Sequence, residues 1–271
     1  MNIIGQEVLC SDIKHMIDDF PLFTIIAGVK GSGKKTMAQW ISEQLPGTYA
    51  VVGITVADIR STIEISHKLS APMTYIIQDA DAMSAEAKGA LLKITEEPPK
   101  KARFIMTLQN VNSMPDTIIS RAVVLYMNPY SMKDIDAYID SKYSGLIDTR
   151  IYDFCCVPGD VDLFMKDTAI LDYVETVVEN IAEVSTANAL KIGDKVALKS
   201  DEDKYDLALF WNIFIALCLD YAKGAEDRND MLYYAAGAFL TNRYLSNITI
   251  KGANKQMLFT NWVIAIREEW Q

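Results

Sequence analysis

The chain has 271 residues, half of them hydrophobic and 23% charged, which excludes a disordered protein and allows two or three small domains. A formal net charge of −10 argues against a free-standing, high-affinity nucleic-acid binder, so any DNA contact would be local or shared with partner chains. Cys10, Cys155, Cys156 and Cys218 form no C-x-x-C pair and no zinc spacing, and read as free thiols in a reducing cytoplasm. Met1–Glu7 has neither the basic nor the apolar stretch of a signal peptide.

In chain order, residues 6–20 place Leu9, Ile13, Met16, Ile17 and Phe20 on one helical face. Phe23–Ala27 is an apolar, β-branched run, and a helix carrying Met37, Trp40, Ile41 and Leu45 follows it. Tyr49–Ile54 reads as a strand, Asp58–Leu69 as a helix and Met73–Ile77 as a strand. Ser84 is the N-cap of a helix carrying Ala87, Leu91 and Ile94, which Pro98-Pro99 stops. Arg103–Leu108 is a fourth strand, Ser113 opens a short helix with Pro115 in its first turn, and Ala122–Met127 is a fifth strand. Strands alternating with helices predict an α/β fold, a parallel sheet covered on both faces. Beyond Pro129 the segments are helical: 131–141, 147–156, 160–167, 172–184, 204–222, 227–244 and 253–268, with a linker-like break at Gly193–Asp203. Leu207–Ala222 is strongly apolar but holds Asn212 and Asp220, and reads as a core helix, not a membrane span.

The chemistry concentrates between the first strand and the helix after it. Gly28-Val29-Lys30-Gly31-Ser32-Gly33-Lys34 is G-x-x-x-x-G-K, the P-loop pattern. Gly28, Gly31 and Gly33 would take the tight turns, the loop amides with Ser32 would face phosphate oxygens, and Lys34 would reach the β- and γ-phosphates. The residue expected next is a hydroxyl ligand for Mg²⁺. Lys35 stands there instead, with Thr36 one position later. Lysine has no acceptor and cannot ligate the ion, but its ammonium can neutralise phosphate charge. The alternative is a glycine-rich turn that packs helix on strand and binds nothing; the strand-before, helix-after context disfavours it.

The chain up to Arg121 resembles the AAA+ clamp-loader subunits of bacterial DNA polymerase III, the gamma/tau and delta-prime group. The resemblance rests on Ile4-Gly5-Gln6, Gly28–Lys34, Ala57-Asp58-Ile59-Arg60 and Tyr75-Ile76-Ile77-Gln78-Asp79-Ala80-Asp81. It continues through Ala90-Leu91-Leu92-Lys93, Glu96-Glu97-Pro98-Pro99 and Thr117-Ile118-Ile119-Ser120-Arg121, with Ala122 where the family has cysteine. The resemblance implies an AAA+ nucleotide-binding domain over 1–128, a helical lid over 129–168 and an all-helical collar for oligomerisation over 169–271. Arg121 would be an arginine finger acting in trans on a neighbour's γ-phosphate, a role worth about 10³–10⁵ in rate. Large apolar residues of the collar, among them Phe210, Trp211, Phe214, Tyr233, Tyr234 and Phe239, would form core or face partner collars.

The departures from the family fall on its hydrolytic residues. The strand-end aspartate that helps hold Mg²⁺ is Gln78, and the adjacent glutamate that polarises water is Asp79, one methylene shorter. Gln109 falls near the first sensor position, and Asp162 stands where a second sensor arginine is expected and would repel phosphate. The family's zinc ribbon is missing between Ser42 and Ile54. The resemblance therefore implies a delta-prime-like stator that presents Arg121 and binds ATP or ADP statically, with the metal ligands degraded and Mg²⁺ disfavoured. Its partners would be other clamp-loader subunits, the sliding clamp and, through the assembled complex, primed DNA, with no membrane. Alternatives are a gamma-like motor hydrolysing ATP with Lys34 and Asp79, and an unrelated P-loop enzyme such as a small-molecule kinase.

Overall fold

The computed structural model describes residues 3–143, 150–183, 185–194, 196–197, 205–248 and 254–270. The chain forms two compact units, Met1–Lys142 with Val157–Gly159, and Tyr143–Cys156 with Asp160–Gln271. In the first unit, β1 (Phe23–Ala27), β2 (Thr48–Val52), β3 (Met73–Ile77), β4 (Ala102–Leu108) and β5 (Val123–Tyr126) form one parallel sheet in the order β2-β3-β4-β1-β5. The helices are α1 (Glu7–Met16), α2 (Lys34–Gln44), α3 (Val56–Ser66), α4 (Ala85–Glu96), α5 (Asp116–Ile119) and α6 (Met132–Lys142).

Two-residue alternation in the strands builds the layers. Phe23, Ile25, Tyr75, Ile77, Phe104 and Met106 face one side, against Ile59 of α3, Leu91 and Ile94 of α4 and Ile118 of α5. Ile26, Ile76 and Ile105 face the other, against Leu9 and Ile13 of α1 and Met37 and Ile41 of α2. Both faces are covered, so these strands read as continuous apolar runs, and each large side chain contributes about 1.5–3 kcal/mol on burial. Local signals agree with the ends of the helices. Thr55 and Asp58 form a reciprocal capping box on α3, and Ser84 accepts from the Ala87 N–H at the start of α4. One expectation is corrected. Ser113 closes a separate 3₁₀ turn and Pro115 is the N-cap of α5, because the extended backbone of Met114 and Pro115 (ψ 150° and 140°) divides the two.

The sheet order fixes where a ligand can approach. β1 lies between β4 and β5, yet the chain leaving it runs through α2 to β2 at the opposite edge. The loop after β1 therefore opens at a topological switch point, at the carboxyl ends of the strands.

The second unit is built from helices. α7 (Ile151–Phe154), α8 (Pro158–Phe164, shared between the units), α9 (Ile170–Asn180), α10 (Thr186–Leu190), α11 (Leu207–Gly224), α12 (Arg228–Asn247) and α13 (Lys255–Glu269) follow in order. A two-residue parallel pair, β6 (Val196–Ala197) with β7 (Tyr205–Asp206), interrupts the expected all-helical region. The expected start of a helix at 147 and most of the linker-like break lie outside the described residues. α11 has the length and hydropathy of a membrane span. Its apolarity matches its place in the core, since Phe210, Trp211 and Phe214 are fully buried with Phe259 and Trp262 of α13. Trp262 Nε1 donates to Thr241 Oγ1 at 2.9 Å, and Arg267 donates to the Ile181 carbonyl at 2.6 Å, capping the end of α9. Of the aromatic residues expected to be core or contact, Phe239 stands out at 77% exposure.

Candidate nucleotide site

The loop Gly28–Gly33 leaves β1 already clamped by its neighbours. The Gly28 N–H donates to the Leu108 carbonyl of β4 at 3.2 Å, and Met127, just past β5, donates to the Ala27 carbonyl at 2.8 Å. Gly31 and Gly33 each have φ +82°, in the left-handed region that glycine adopts without steric cost. A Cβ at Gly28 would lie 2.8 Å from Ser32 Oγ and 2.9 Å from Met127 Cβ, so the backbone is packed as closely as it can be. Ser32 turns the loop by donating from Oγ to the Val29 carbonyl at 2.9 Å.

Lys34 begins α2 and is 6% exposed. Its Nζ donates to the Gly28 and Val29 carbonyls at 2.8 and 2.7 Å. An ammonium has three donors, so one remains for a ligand. Burial holds its pKa below the usual lysine range, with Asp79 and Asp81 opposing that shift and Lys35 adding to it.

The loop is braced from the N-terminal segment. Gln6 is fully buried and pairs with the backbone of Asn128 in both directions, donating to its carbonyl at 2.9 Å and accepting from its N–H at 2.8 Å. Gly5 lies against Tyr130, where a Cβ would approach the ring to 2.8 Å. Tyr130 in turn donates from its hydroxyl to the Ser32 carbonyl at 2.9 Å. The Ile4-Gly5-Gln6 motif thus acts on the loop through Asn128 and Tyr130. On another side, the Gly159 N–H donates to the Gly31 carbonyl at 3.0 Å.

At the end of β3, Asp79 has φ 52° and ψ 45°, the one non-glycine residue with positive φ among those described. That conformation costs about 1–2 kcal/mol. Its N–H is held by Thr107 Oγ1 of β4 at 2.9 Å, and its carboxylate meets the Lys35 ammonium at 2.6 Å. Although position 78 is a neutral amide, Lys35 thus has a carboxylate partner in Asp79, the next residue. Asp81 does different work. It accepts from the Gln109 N–H at 2.7 Å, the Asn110 N–H at 3.0 Å and the Ser113 hydroxyl at 3.0 Å, fixing the turn after β4. Nothing in its spacing distinguished it from Asp79.

A P-loop site holds Mg²⁺ through the hydroxyl after the loop lysine and a strand-end carboxylate. The residues present do not fit that ion. Lys35 and Gln78 occupy those positions, and Asp79 is engaged by Lys35. Thr36 projects about 100° further round the helix. Among the described residues, no group of three or more His, Cys, Asp or Glu side chains could hold a metal. The glycine loop and Lys34 do fit a polyphosphate.

Arg121 is exposed just beyond α5, and its guanidinium donates to the Thr117 carbonyl at 2.8 Å, as a helix-end cap would. Asp162, in the second unit, accepts from the Tyr143 hydroxyl at 2.7 Å.

Residues 53–131 match the family model described as DNA polymerase III, delta subunit. The chain is 23% identical over 173 residues to DNA polymerase III subunit gamma of Buchnera aphidicola subsp. Baizongia pistaciae, covering 52% of this chain and 47% of that relative. It thus spans about half the length of that protein. Over 62 residues it is 40% identical to DNA polymerase III subunit delta′ of Bacillus subtilis, covering 23% of this chain and 19% of the relative. In fold it matches a DNA polymerase III gamma subunit-related protein from Thermotoga maritima, with TM-score 0.53 and 15% identity, over 98% of this chain and 100% of the other. With the P-loop, the parallel sheet and the helical region that follows it, these likenesses agree: the chain resembles the DNA polymerase III delta, gamma and tau clamp-loader subunits, most directly over residues 53–131, and shares the fold of the gamma subunit-related protein.

Proposed function

We propose that this protein is a delta-prime-like stator in a cytoplasmic clamp loader. It would assemble with other clamp-loader subunits, engage the sliding clamp and act on primed DNA through the complex. Its own site would hold ATP or ADP without turning it over, and Arg121 would complete a neighbour's site. The observation that carries this reading is the Lys35–Asp79 ion pair. It draws Asp79, which stands at the position where water would be activated, toward an ammonium. Asp79 is also one methylene shorter than the family's glutamate, and a base misplaced by about 1 Å loses on the order of 10²-fold in rate. The exposure of Arg121 is consistent with an action in trans. The finer division, a lid over 129–168 and a collar over 169–271, belongs to the same proposal. Exposed Phe239 on α12 then becomes the first candidate for a collar contact.

The test is a reconstituted complex with clamp and primed DNA. Arg121→Ala should leave assembly intact and lower clamp-dependent ATPase by about tenfold or more. Unchanged ATPase removes Arg121 from the mechanism. A gamma-like motor is the second reading, favoured by the intact loop and its buried Lys34. Single-turnover hydrolysis by the isolated chain, abolished in Asp79→Asn, would establish it.

A further inference from the structure

We propose that Lys35 takes the place of the metal ion, so that this site binds a nucleoside di- or triphosphate without Mg²⁺. The inference rests on the nucleotide-holding part of the function proposed above, and goes beyond it in naming the ionic form of the ligand.

Three observations carry it. First, the Lys35 ammonium joins the start of α2 to the end of β3 through its 2.6 Å contact with Asp79. A divalent ion in a P-loop site makes the same bridge, between the first helical turn and the strand-end carboxylate. Second, the charges balance. Relative to a hydroxyl and an aspartate at these two positions, Lys35 adds one positive charge and Gln78 removes one negative charge. Together they supply the two positive charges that a magnesium ion would bring. Third, the two lysines differ in freedom. Lys34 is buried and tied to two backbone carbonyls, whereas the Lys35 and Asp79 side chains are 53% and 49% exposed. An ion pair that open to water has little holding it shut. A phosphate oxygen can therefore take one of the three ammonium donors while Asp79 keeps another. Mg²⁺ has no comparable place, because the ammonium repels it and the neighbouring side chain is a neutral amide.

No covalent step is involved. The nucleotide enters as the free polyphosphate anion and leaves unchanged.

Calorimetric titration of the full chain with ADP and ATP, in excess Mg²⁺ and in excess chelator, tests this. The expected result is an affinity that agrees within about twofold between the two buffers. Lys35→Thr should weaken binding in chelator by about tenfold, the loss of one charge-assisted contact. The double substitution Lys35→Thr with Gln78→Asp should restore binding only when Mg²⁺ is present. Far-ultraviolet circular dichroism confirms that each variant is folded, and Lys35→Arg, which keeps the charge, should retain metal-free binding.

Strict dependence on Mg²⁺ in the unmodified chain overturns the inference while leaving nucleotide binding in place. Equal binding by Lys35→Thr and the unmodified chain in chelator also overturns it. Absence of binding in both buffers overturns it together with the static-nucleotide reading, and leaves the role of Arg121 to be judged by the reconstituted ATPase.

Discussion

Lys34 and Lys35 are adjacent, carry the same side chain and live in different physical regimes. Lys34 is 6% exposed and held by two carbonyls of its own loop. Lys35 is half in water and held by one carboxylate. Backbone partners cannot swing away, so Lys34 is part of the framework. A side-chain partner can, so Lys35 and Asp79 form the adjustable edge of the site. Each regime has its own support. Beneath the loop are Gln6, Asn128 and Tyr130, and beneath the strand end is Asp81.

The contrast can be broken from the framework outwards. Asp81→Ala removes the acceptor for two backbone amides and a hydroxyl, and should lower unfolding free energy by about 3 kcal/mol in urea denaturation. A loss below about 1 kcal/mol would show that the turn after β4 does not depend on Asp81. Gln6→Ala leaves the Asn128 N–H and carbonyl without their partner and should cost about 2 kcal/mol by the same measurement.

Lys34→Met sharpens the comparison through pH. Burial lowers the folded-state pKa of Lys34, so the unfolded chain binds more protons between that value and the ordinary lysine range. The stability of the unmodified chain, measured relative to Lys34→Met, should therefore rise as pH increases through that alkaline window. A flat difference would mean that the ammonium is not desolvated. The smallest effect belongs to the adjustable edge. Asp79→Asn gives up a half-exposed ion pair and suits the left-handed backbone better, so stability should change by less than about 1 kcal/mol. ATPase of the isolated chain should stay negligible, and a clear activity lost in this variant would return Asp79 to catalysis.

Much of this was legible in the residues. The apolar, β-branched runs marked all five strands of the main sheet, most clearly β1, β3 and β4, which are buried on both faces. The loop spacing located Gly28, Gly31, Gly33 and Lys34. Side-chain partnerships were not legible. In Gln78-Asp79-Ala80-Asp81, periodicity cannot say which carboxylate braces a turn and which meets a lysine; the left-handed turn at Asp79 decides it. Tyr130 and Asn128 lie just beyond β5, and nothing local tied them to Gln6, 122 residues from Asn128. The pair β6 and β7 was missed because two residues carry no period.

The position of β1 also shapes how the chain is made. All five of its residues are buried, and its partners are β4 and β5. Phe23 pairs with Phe104, so about 80 residues must be synthesised after β1 before its first neighbour exists. At about 5–20 residues per second, that is roughly 4–16 s on the ribosome. During that interval Phe23-Thr24-Ile25-Ile26-Ala27 is an unpaired apolar segment, the kind that chaperones hold and that aggregates when they do not. The strand that positions the glycine-rich loop is thus among the first made and the last to be enclosed. Slowing translation between β1 and β4 should lower soluble yield more than slowing it after β5.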